Sequence, residues 1–116
     1  MEIAMEQLYG RLGVSPEELQ YFCASLPILE LAFFGSVLRK DFCSNSDVDV
    51  LIALTPNHEM GLFEFFDLEE QFQTLFKRDV DLIERAVIEK DHNWIRRREI
   101  LNNNQIVYES RQILSA

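Results

Sequence analysis

The stretch FFGSVLRKDFCSNSDVDVLIAL, residues 33–54, joins two apolar runs through a short polar segment. The first run ends in Gly35-Ser36, and the second begins around Asp47 and Asp49, which are separated by one residue. Alternate residues of a β-strand point to the same side of the sheet, so both carboxylates are expected on one face while the neighbouring valines enter the core. The stretch therefore predicts two core strands, with a pair of facing acids at the start of the second.

The facing acids indicate a bound cation. Two carboxylates about 4 Å apart repel by roughly 4 kcal/mol at an effective dielectric constant of about 20. Such a pair either keeps one proton or holds a cation, and a hard cation with oxygen ligands, Mg²⁺ or Mn²⁺, fits Asp47 and Asp49. The alternative is that both acids are simply solvated at the start of a strand.

Gly35-Ser36 has the features of a phosphate-binding turn. It lies between a predicted strand and a predicted helical turn over residues 37–41. Glycine lets a ligand approach the backbone closely, and amides at a helix start, together with a serine hydroxyl, suit a phosphate. An ordinary turn is the alternative.

A third acidic position follows in KRDVDLIE, residues 77–84. Asp79 and Asp81 share a face because they are two residues apart in a predicted strand. If this strand lies beside the second one, Asp81 can join Asp47 and Asp49. Three carboxylates holding two cations form an arrangement suited to in-line displacement at phosphorus.

The composition fits one acidic domain over residues 1–116, with its core at about residues 15–109. The chain has 116 residues, 47% of them hydrophobic and nine of them Phe, which supplies a single core. Eleven Lys and Arg against 20 Asp and Glu give a formal charge of −9. Such a surface repels nucleic acid, so no stable nucleic-acid binding is expected, and a small nucleotide or a protein is the better substrate.

The cysteines and the N-terminus predict a cytoplasmic protein. Cys23 and Cys43 lack CxxC spacing, so two free thiols in a reducing compartment are expected. The N-terminal MEIAMEQLYG has no apolar core of the signal-peptide kind. No apolar run approaches the roughly 20 residues of a membrane span, so no membrane contact is expected.

The order of the predicted elements indicates an α/β or α+β fold, with helices packed on a small mixed sheet. Gly10 and Gly13 are expected to interrupt a short helix or loose arm over residues 1–13. Ser15-Pro16-Glu17-Glu18 predicts a capped helix that runs to about Leu26. The other predictions are strands at 28–34, 48–54 (central) and 80–84, helices at 61–78 and 93–101, and an edge strand or helix at 105–109. The apolar stripe predicted to bury the long helix is Leu62, Phe65, Phe66, Phe72 and Phe76.

Other candidate residues are interpreted as surface positions. His58 and His92 have no partner at a spacing typical of a metal site or a catalytic triad. Trp94 beside the arginines 96–98 could bind nucleic acid, phosphate or an acidic partner, but a solvated helix face or a protein contact is favoured in an acidic chain. Cys43 could be redox-sensitive on the basis of its position alone.

A family resemblance rests on the spacing of the motif residues. Gly35-Ser36, ten residues and then Asp47-Val48-Asp49 give the pattern GS-x10-DxD. In this pattern, in the preceding FFGS strand and in SDVDVLI and DVDLIE, the chain resembles the minimal nucleotidyltransferase (MNT) group, the MntA-like antitoxins, of the DNA polymerase beta-like nucleotidyltransferase superfamily. The resemblance spans about residues 15–109 and implies the polymerase beta-like nucleotidyltransferase fold.

The resemblance implies nucleotide-binding roles at the first motif. Gly35 and Ser36 would contact the triphosphate of ATP. Arg39, at a position where relatives often carry a basic residue, would touch phosphate. The family commonly has a small residue and a second glycine in the segment where this chain reads GSVLRKD.

The resemblance also implies metal-binding and catalytic roles for the acids. Asp47 and Asp49 would each ligate Mg²⁺, with two ions in the site and Mn²⁺ as a substitute. Asp81 would ligate the metal near the attacking group and help to deprotonate that group. Asp79 is the alternative for this third carboxylate.

The implied function is that of an antitoxin enzyme. MNT proteins of this kind are thought to transfer AMP from ATP to a tyrosine of a partner HEPN-domain ribonuclease toxin and so silence it. The charge of −9 is compatible with a protein acceptor. One alternative is an antitoxin that neutralises the toxin by binding alone, through the 94–98 region and surface phenylalanines. Another is a transferase acting on a small molecule, like the aminoglycoside nucleotidyltransferases, for which this chain is short.

Overall fold

The computed structural model describes residues 3–110, which form a mixed α+β fold as the sequence predicts. A 3-10 turn at Gly35–Leu38, here named the GS turn, follows the first strand directly. The helices are α1 Met5–Leu12, α2 Pro16–Ala24, α3 Leu62–Phe76, α4 Arg85–Ile88 and α5 Trp94–Asn102, and the strands are β1 Ile28–Phe34, β2 Val48–Leu54, β3 Val80–Glu84 and β4 Asn104–Glu109. No helix within residues 3–110 is long and apolar enough to cross a membrane.

Within the described residues, the strands form a four-stranded mixed sheet in the order β3-β2-β1-β4. β1 is antiparallel to both β2 and β4, whereas β2 and β3 run parallel. β2 therefore lies inside the sheet, as its nearly continuous apolar sequence predicts. The segment predicted as an edge strand or a helix is the edge strand β4, because its backbone pairs with β1 from Glu30 to Phe34.

The two faces of the sheet bury apolar side chains unequally. The larger cluster of buried side chains packs one face against α1, α2 and α3, and it includes Val48, Val50 and Phe33. The smaller cluster, on the other face, is Ala32, Phe34, Leu51, Ile88 and Ile100. Since strand residues alternate, Asp49 lies on the face of the smaller cluster, and the predicted inward orientation of the two valines is confirmed.

Local capping signals set the ends of the first two helices. Ser15 Oγ accepts a hydrogen bond from the Glu18 amide at 3.1 Å, and Glu18 Oε1 accepts one from the Ser15 amide at 3.1 Å. This capping box confirms the predicted start of α2, although the helix ends at Ala24, two residues before the predicted end. Gly13 ends α1 with a φ of 71°, as expected of a helix-ending glycine. Gly10 lies inside α1, so its predicted role as a breaker is wrong.

The predicted apolar stripe of α3 is correct for three of its five residues, Phe65, Phe72 and Phe76, and wrong for the other two. Phe72 and Phe76 are buried, whereas Leu62 is 65% and Phe66 is 53% exposed. The buried positions Leu68, Phe72 and Phe76 recur every four residues, so they define the line that faces the sheet. Leu62 and Phe66 are rotated away from this line, whereas Phe65 is partly buried and packs against the larger core.

Phe72 provides a test of this packing. Its ring is fully buried and lies 5.0 Å from the Phe22 ring and 5.9 Å from the Phe76 ring, centroid to centroid. Phe72→Ala is expected to lower the free energy of unfolding by about 3–5 kcal/mol, because it leaves a cavity in the larger core. The matched control Phe63→Ala, at a side chain that is 87% exposed, should change it by less than about 0.5 kcal/mol in urea denaturation. Equal losses in both variants would contradict the observed burial.

Candidate active site

The parallel pairing of β2 with β3 brings two of the predicted acids together. Asp49 is the second residue of β2 and Asp81 is the second residue of β3, and they are register partners. Their side chains therefore leave the sheet on the same face, away from the larger core. Asp47 lies just before β2, and both Asp47 and Asp81 are exposed, whereas Asp49 is half-buried.

The electrostatic state of Asp49 reflects this crowding. Burial raises the pKa of Asp49 to about 6, and the negative charges of Asp81 and then Asp47 act in the same direction. The positive charge of Arg39 lowers it by a smaller amount. The three acids predicted from the sequence therefore interact electrostatically, as the spacing of the motif requires.

Asp79 occupies a different position from Asp81. Its carbonyl accepts a hydrogen bond from the Val48 amide at 3.0 Å, and its side chain is exposed. Among the described residues, Asp81 and Asp47 are the acids whose charges raise the pKa of Asp49. The register thus favours Asp81 over Asp79 as the third carboxylate.

Gly35 contacts the Asp49 side chain so closely that a larger residue there would displace the carboxylate. Its φ is +74°, which is in the left-handed region, and a Cβ at this position would overlap Asp49 Oδ2 and lie 3.0 Å from Asp49 Cγ. The contact arises because Phe34, the residue before Gly35, is the register partner of Asp49 across β1 and β2. The GS turn and the acidic pair are therefore parts of one packed unit, although ten residues separate Ser36 from Asp47.

The other two nucleotide-binding candidates flank Gly35. Ser36 is half-buried within the GS turn, and its carbonyl accepts a hydrogen bond from the Arg39 amide at 2.9 Å. The predicted helical turn at 37–41 is the 3-10 turn Gly35–Leu38, which begins two residues and ends three residues earlier than predicted. The Arg39 side chain is exposed and forms an ion pair with Asp41 at 3.0 Å.

A cleft of about 630 Å³ opens beside Gly35 and Asp49. One wall includes Gly35, Leu38, Arg39 and Asp49, and the facing wall comes from the end of α5 and the start of β4. The lining residues are Ile3, Phe34, Gly35, Leu38, Arg39, Asp49, Glu99, Ile100, Asn102, Asn103, Asn104 and Gln105. In the described part of the chain, Ser36, Asp47 and Asp81 lie outside this lining.

The facing wall of the cleft was missed in the sequence analysis. The sequence pattern predicts only the end of a helix and the start of an edge element at Glu99 and residues 102–105. It contains no catalytic motif there. Part of this wall serves the helix end, because Asn104 Nδ2 donates to the Ile100 carbonyl at 3.0 Å and Asn103 Nδ2 donates to the Glu99 carbonyl at 2.9 Å. No local pattern could have indicated that this segment faces Gly35, since the pairing of β4 with β1 puts it there.

The donor chemistry of the acids fits a hard divalent cation. Carboxylate oxygens are the ligands that Mg²⁺ and Mn²⁺ prefer, and the repulsion at Asp49 is the condition that a cation relieves. Within residues 3–110, however, no three His, Cys, Asp or Glu side chains are gathered closely enough to hold a metal ion. The fit of Asp47, Asp49 and Asp81 to such a cation therefore rests on their residue type, their charge and their place at the starts of β2 and β3, and not on converging side chains.

The remaining candidates occupy surface positions. His58 Nε2 lies 2.8 Å from Glu64 Oε2, and Arg96 pairs with Asp91 at 3.0 Å. Trp94 is 57% exposed. Cys43 is exposed, and a hydrogen bond with the Ser46 hydroxyl lowers the pKa of its thiol.

Comparisons with known proteins agree with this arrangement. The family model described as "Nucleotidyltransferase domain" matches residues 17–107, so the chain belongs to the nucleotidyltransferase domain family. A search of curated proteins finds no match.

Among solved structures, the chain is similar to a candidate minimal nucleotidyltransferase at 22% identity and a TM-score of 0.60, covering 88% of this chain and 94% of that one. It is similar to a chain of a toxin–antitoxin complex with AMP-PNP at 13% identity and a TM-score of 0.64, covering 86% and 77%. It is also similar to a chain of the Shewanella oneidensis complex of tri-AMPylated HEPN toxin with MNT antitoxin, at 12% identity and a TM-score of 0.52, covering 87% and 78%. At these identities the likeness shows a shared fold.

The raised pKa of Asp49 predicts how the metal-free protein responds to pH. The folded-state pKa of about 6 lies above the ordinary value of 3.8, so the neutral carboxyl is favoured by folding. This contribution to stability is complete below pH 3.8 and is lost as the pH rises through about 6. Asp49→Asn should therefore raise the melting temperature above pH 6 and leave it nearly unchanged near pH 3.8.

Thermal unfolding in a chelator across this pH range measures the effect. Asp67→Asn is the matched control, because Asp67 is exposed on α3 and its role as acceptor for Gln71 Nε2 can be filled by the asparagine oxygen. If Asp49→Asn raises the melting temperature by the same amount at every pH, the effect does not come from the ionisation of Asp49.

Gly35→Ala tests the contact between the GS turn and Asp49. The substitution should destabilise the protein by more than the roughly 1–2 kcal/mol of a left-handed alanine, because the methyl group also overlaps the carboxylate. In an Asp49→Gly background the extra loss should disappear, which a double-mutant cycle by urea denaturation measures. Gly10→Ala, in the interior of α1 with no described atom within 4 Å of the new methyl group, should instead stabilise by about 0.5–1 kcal/mol.

Proposed function

We propose that this protein is a Mg²⁺-dependent protein adenylyltransferase that moves AMP from ATP to a tyrosine hydroxyl of a partner HEPN ribonuclease toxin. The carrying observation is that Asp49, the register partner of Asp81, contacts Gly35 and lines the cleft with it. Membership of the nucleotidyltransferase domain family supports the reaction class. The similar complexes with AMP-PNP and with an AMPylated HEPN toxin support the choice of nucleotide and acceptor.

The nucleotide would bind in the cleft beside the GS turn. A cleft of about 630 Å³ is within the usual range for small-molecule sites, roughly 300–1,000 Å³. Gly35 and Ser36 would contact the triphosphate, and Arg39 would exchange its exposed pairing with Asp41 for a phosphate oxygen. The lack of a side chain at Gly35 lets the phosphates come close to Asp49.

Asp47, Asp49 and Asp81 would hold two Mg²⁺ ions, or Mn²⁺ in their place. When bound, such cations would supply positive charge that neutralises the phosphates and favours displacement at the α-phosphorus. Asp81 accepts the proton of the tyrosine hydroxyl as its oxygen attacks the α-phosphorus. The bond from this phosphorus to the pyrophosphate oxygen breaks, and pyrophosphate leaves with the bonding electrons.

The remaining features of the chain are compatible with this function. The charge of −9 suits a protein acceptor better than a nucleic acid. We infer that the chain forms one minimal domain, because the family match spans residues 17–107 and Leu8 and Leu12 of α1 complete the larger core. The free thiols Cys23 and Cys43 and the use of ATP agree with a cytoplasmic site of action.

Label transfer tests the proposed reaction. With ATP labelled at the α-phosphate and a purified HEPN partner, wild type should label the partner, and a chelator should abolish the transfer. Asp47→Ala/Asp49→Ala should lower the rate by roughly 100-fold or more, because ligands of the cations are removed. Asp67→Ala, at an exposed acid on α3, is the control. Equal labelling of the partner by wild type and by the double variant would contradict the proposed reaction.

Neutralisation by binding alone is the second candidate, and exposed apolar side chains favour it. Phe63 is 87%, Ile95 is 62% and Trp94 is 57% exposed, and large exposed aromatic groups commonly anchor protein interfaces. Protection of cells from the toxin separates the two functions. Full protection by the Asp47→Ala/Asp49→Ala variant supports binding, whereas its loss supports catalysis.

A further inference from the structure

Two arginines that are distant in sequence meet at the segment between the GS turn and β2. Arg11 extends from α1, and Arg78 lies two residues before the start of β3. Both guanidinium groups lie over the Phe42 ring, with Cζ at 5.3 Å from the ring centroid for Arg11 and at 4.4 Å for Arg78. The ring of Phe42 thus joins the two arginines to the middle of the ten-residue segment from 37 to 46.

Arg78 binds the loop that leads into Asp47. Its Nη1 donates to the carbonyl oxygens of Cys43 at 3.0 Å, Ser44 at 3.3 Å and Ser46 at 3.0 Å. Hydrogen bonds from a charged donor are stronger than neutral ones, so this contact holds the loop firmly. The Ser46 carbonyl belongs to the peptide group directly before Asp47.

Asp79, the residue after Arg78, binds the peptide group on the other side of Asp47. The Asp79 carbonyl accepts a hydrogen bond from the Val48 amide at 3.0 Å, and this amide belongs to the peptide group directly after Asp47. Both peptide groups around Asp47 are therefore bound by the dipeptide 78–79. The same dipeptide continues into β3, which carries Asp81 two residues later.

We propose that Arg78 is a positioning residue that fixes Asp47 relative to Asp81. This inference rests on the proposed function, in which both acids hold a divalent cation. A metal site needs its ligands held in place by surrounding hydrogen bonds, and loss of such support commonly lowers metal affinity by about 10–100-fold. Arg78 supplies this support because it connects the loop before Asp47 to the strand of Asp81.

Arg11 supports the GS turn in an analogous way. Its Nη1 donates to the Val37 carbonyl at 2.9 Å and also to the Arg39 carbonyl. These acceptors lie at the end of the GS turn, not in the loop before Asp47. Arg11 and Arg78 share the Phe42 ring but hold different parts of the site, which makes them a matched pair for experiment.

A direct role for Arg78 in binding phosphate or nucleic acid is less compatible with its contacts. The guanidinium donates to three backbone carbonyls and also stacks on Phe42. Leaving these contacts for a ligand would release the loop before Asp47. The planar guanidinium donates through Nη1 while its face stacks on Phe42, and a lysine ammonium does not provide this combination.

Mn²⁺ binding and amide hydrogen exchange test the proposal without any measurement of activity. Arg78→Met should weaken Mn²⁺ binding, measured by electron paramagnetic resonance, by at least about 10-fold. In the metal-free protein it should also speed exchange of the Ser46 and Val48 amides. Arg11→Met should keep Mn²⁺ affinity within about 3-fold of wild type, as expected when neither the loop before Asp47 nor β3 is altered, and should speed exchange at the Arg39 amide.

The outcomes separate the proposal from the function on which it rests. If wild type binds no Mn²⁺, or binds it no better than Asp47→Asn/Asp49→Asn, the proposed metal site fails. If wild type binds Mn²⁺ and Arg78→Met binds it equally well, the positioning role of Arg78 is wrong. Equal weakening by both arginine variants indicates a general loss of structure and also overturns it.

Arg78→Lys covers the case in which Arg78→Met does not fold. It keeps the positive charge near Phe42 but lacks the planar fork of donors. It should show the same faster exchange at Ser46 and Val48 and a weaker affinity for Mn²⁺. Wild-type behaviour of Arg78→Lys in both measurements would show that charge alone suffices and would refute positioning by the guanidinium fork.

Discussion

The parallel pairing of β2 with β3 is the constraint on which the candidate site depends. It sets Asp49 against Asp81 on one face of the sheet, while the pairing of β1 with β2 brings Gly35 under the Asp49 carboxylate. The result is a half-buried acid among other acids, with a pKa raised to about 6. Without a cation, folding therefore disfavours the ionised form of Asp49. This behaviour is expected of a cluster of acids that binds positive charge.

The unequal faces of the sheet explain how the fold tolerates such a site. The side packed by α1, α2 and α3 buries the larger apolar cluster and stabilises the sheet. The opposite side carries the smaller cluster with Ile88 and Ile100, which leaves room for a cleft and for charged side chains. Stability is concentrated on one face, and the candidate chemistry lies on the other.

The sequence predicted β1, β2 and β3 at their observed bounds, because runs rich in apolar and β-branched residues recur there between clear turn signals. It failed where neighbouring structure overrides a local pattern. Gly10 is helical because α1 is capped only at Gly13, and Phe66 is exposed because it is rotated away from the buried line of α3. The facing wall of the cleft and the contacts of Arg11 and Arg78 depend on long-range pairing, which no periodicity encodes.

The sequence by itself determined the properties that follow from short-range geometry. Strand alternation places Asp49 on the face opposite Val48 and Val50, and Ser15 and Glu18 form the capping box. Only the tertiary structure decided that Asp81 and not Asp79 pairs with Asp49, that Gly35 contacts Asp49, and that Arg78 holds the loop before Asp47. The physical reason is that dihedral preferences and side-chain alternation act over a few residues, whereas strand order and register are set by packing of the whole chain.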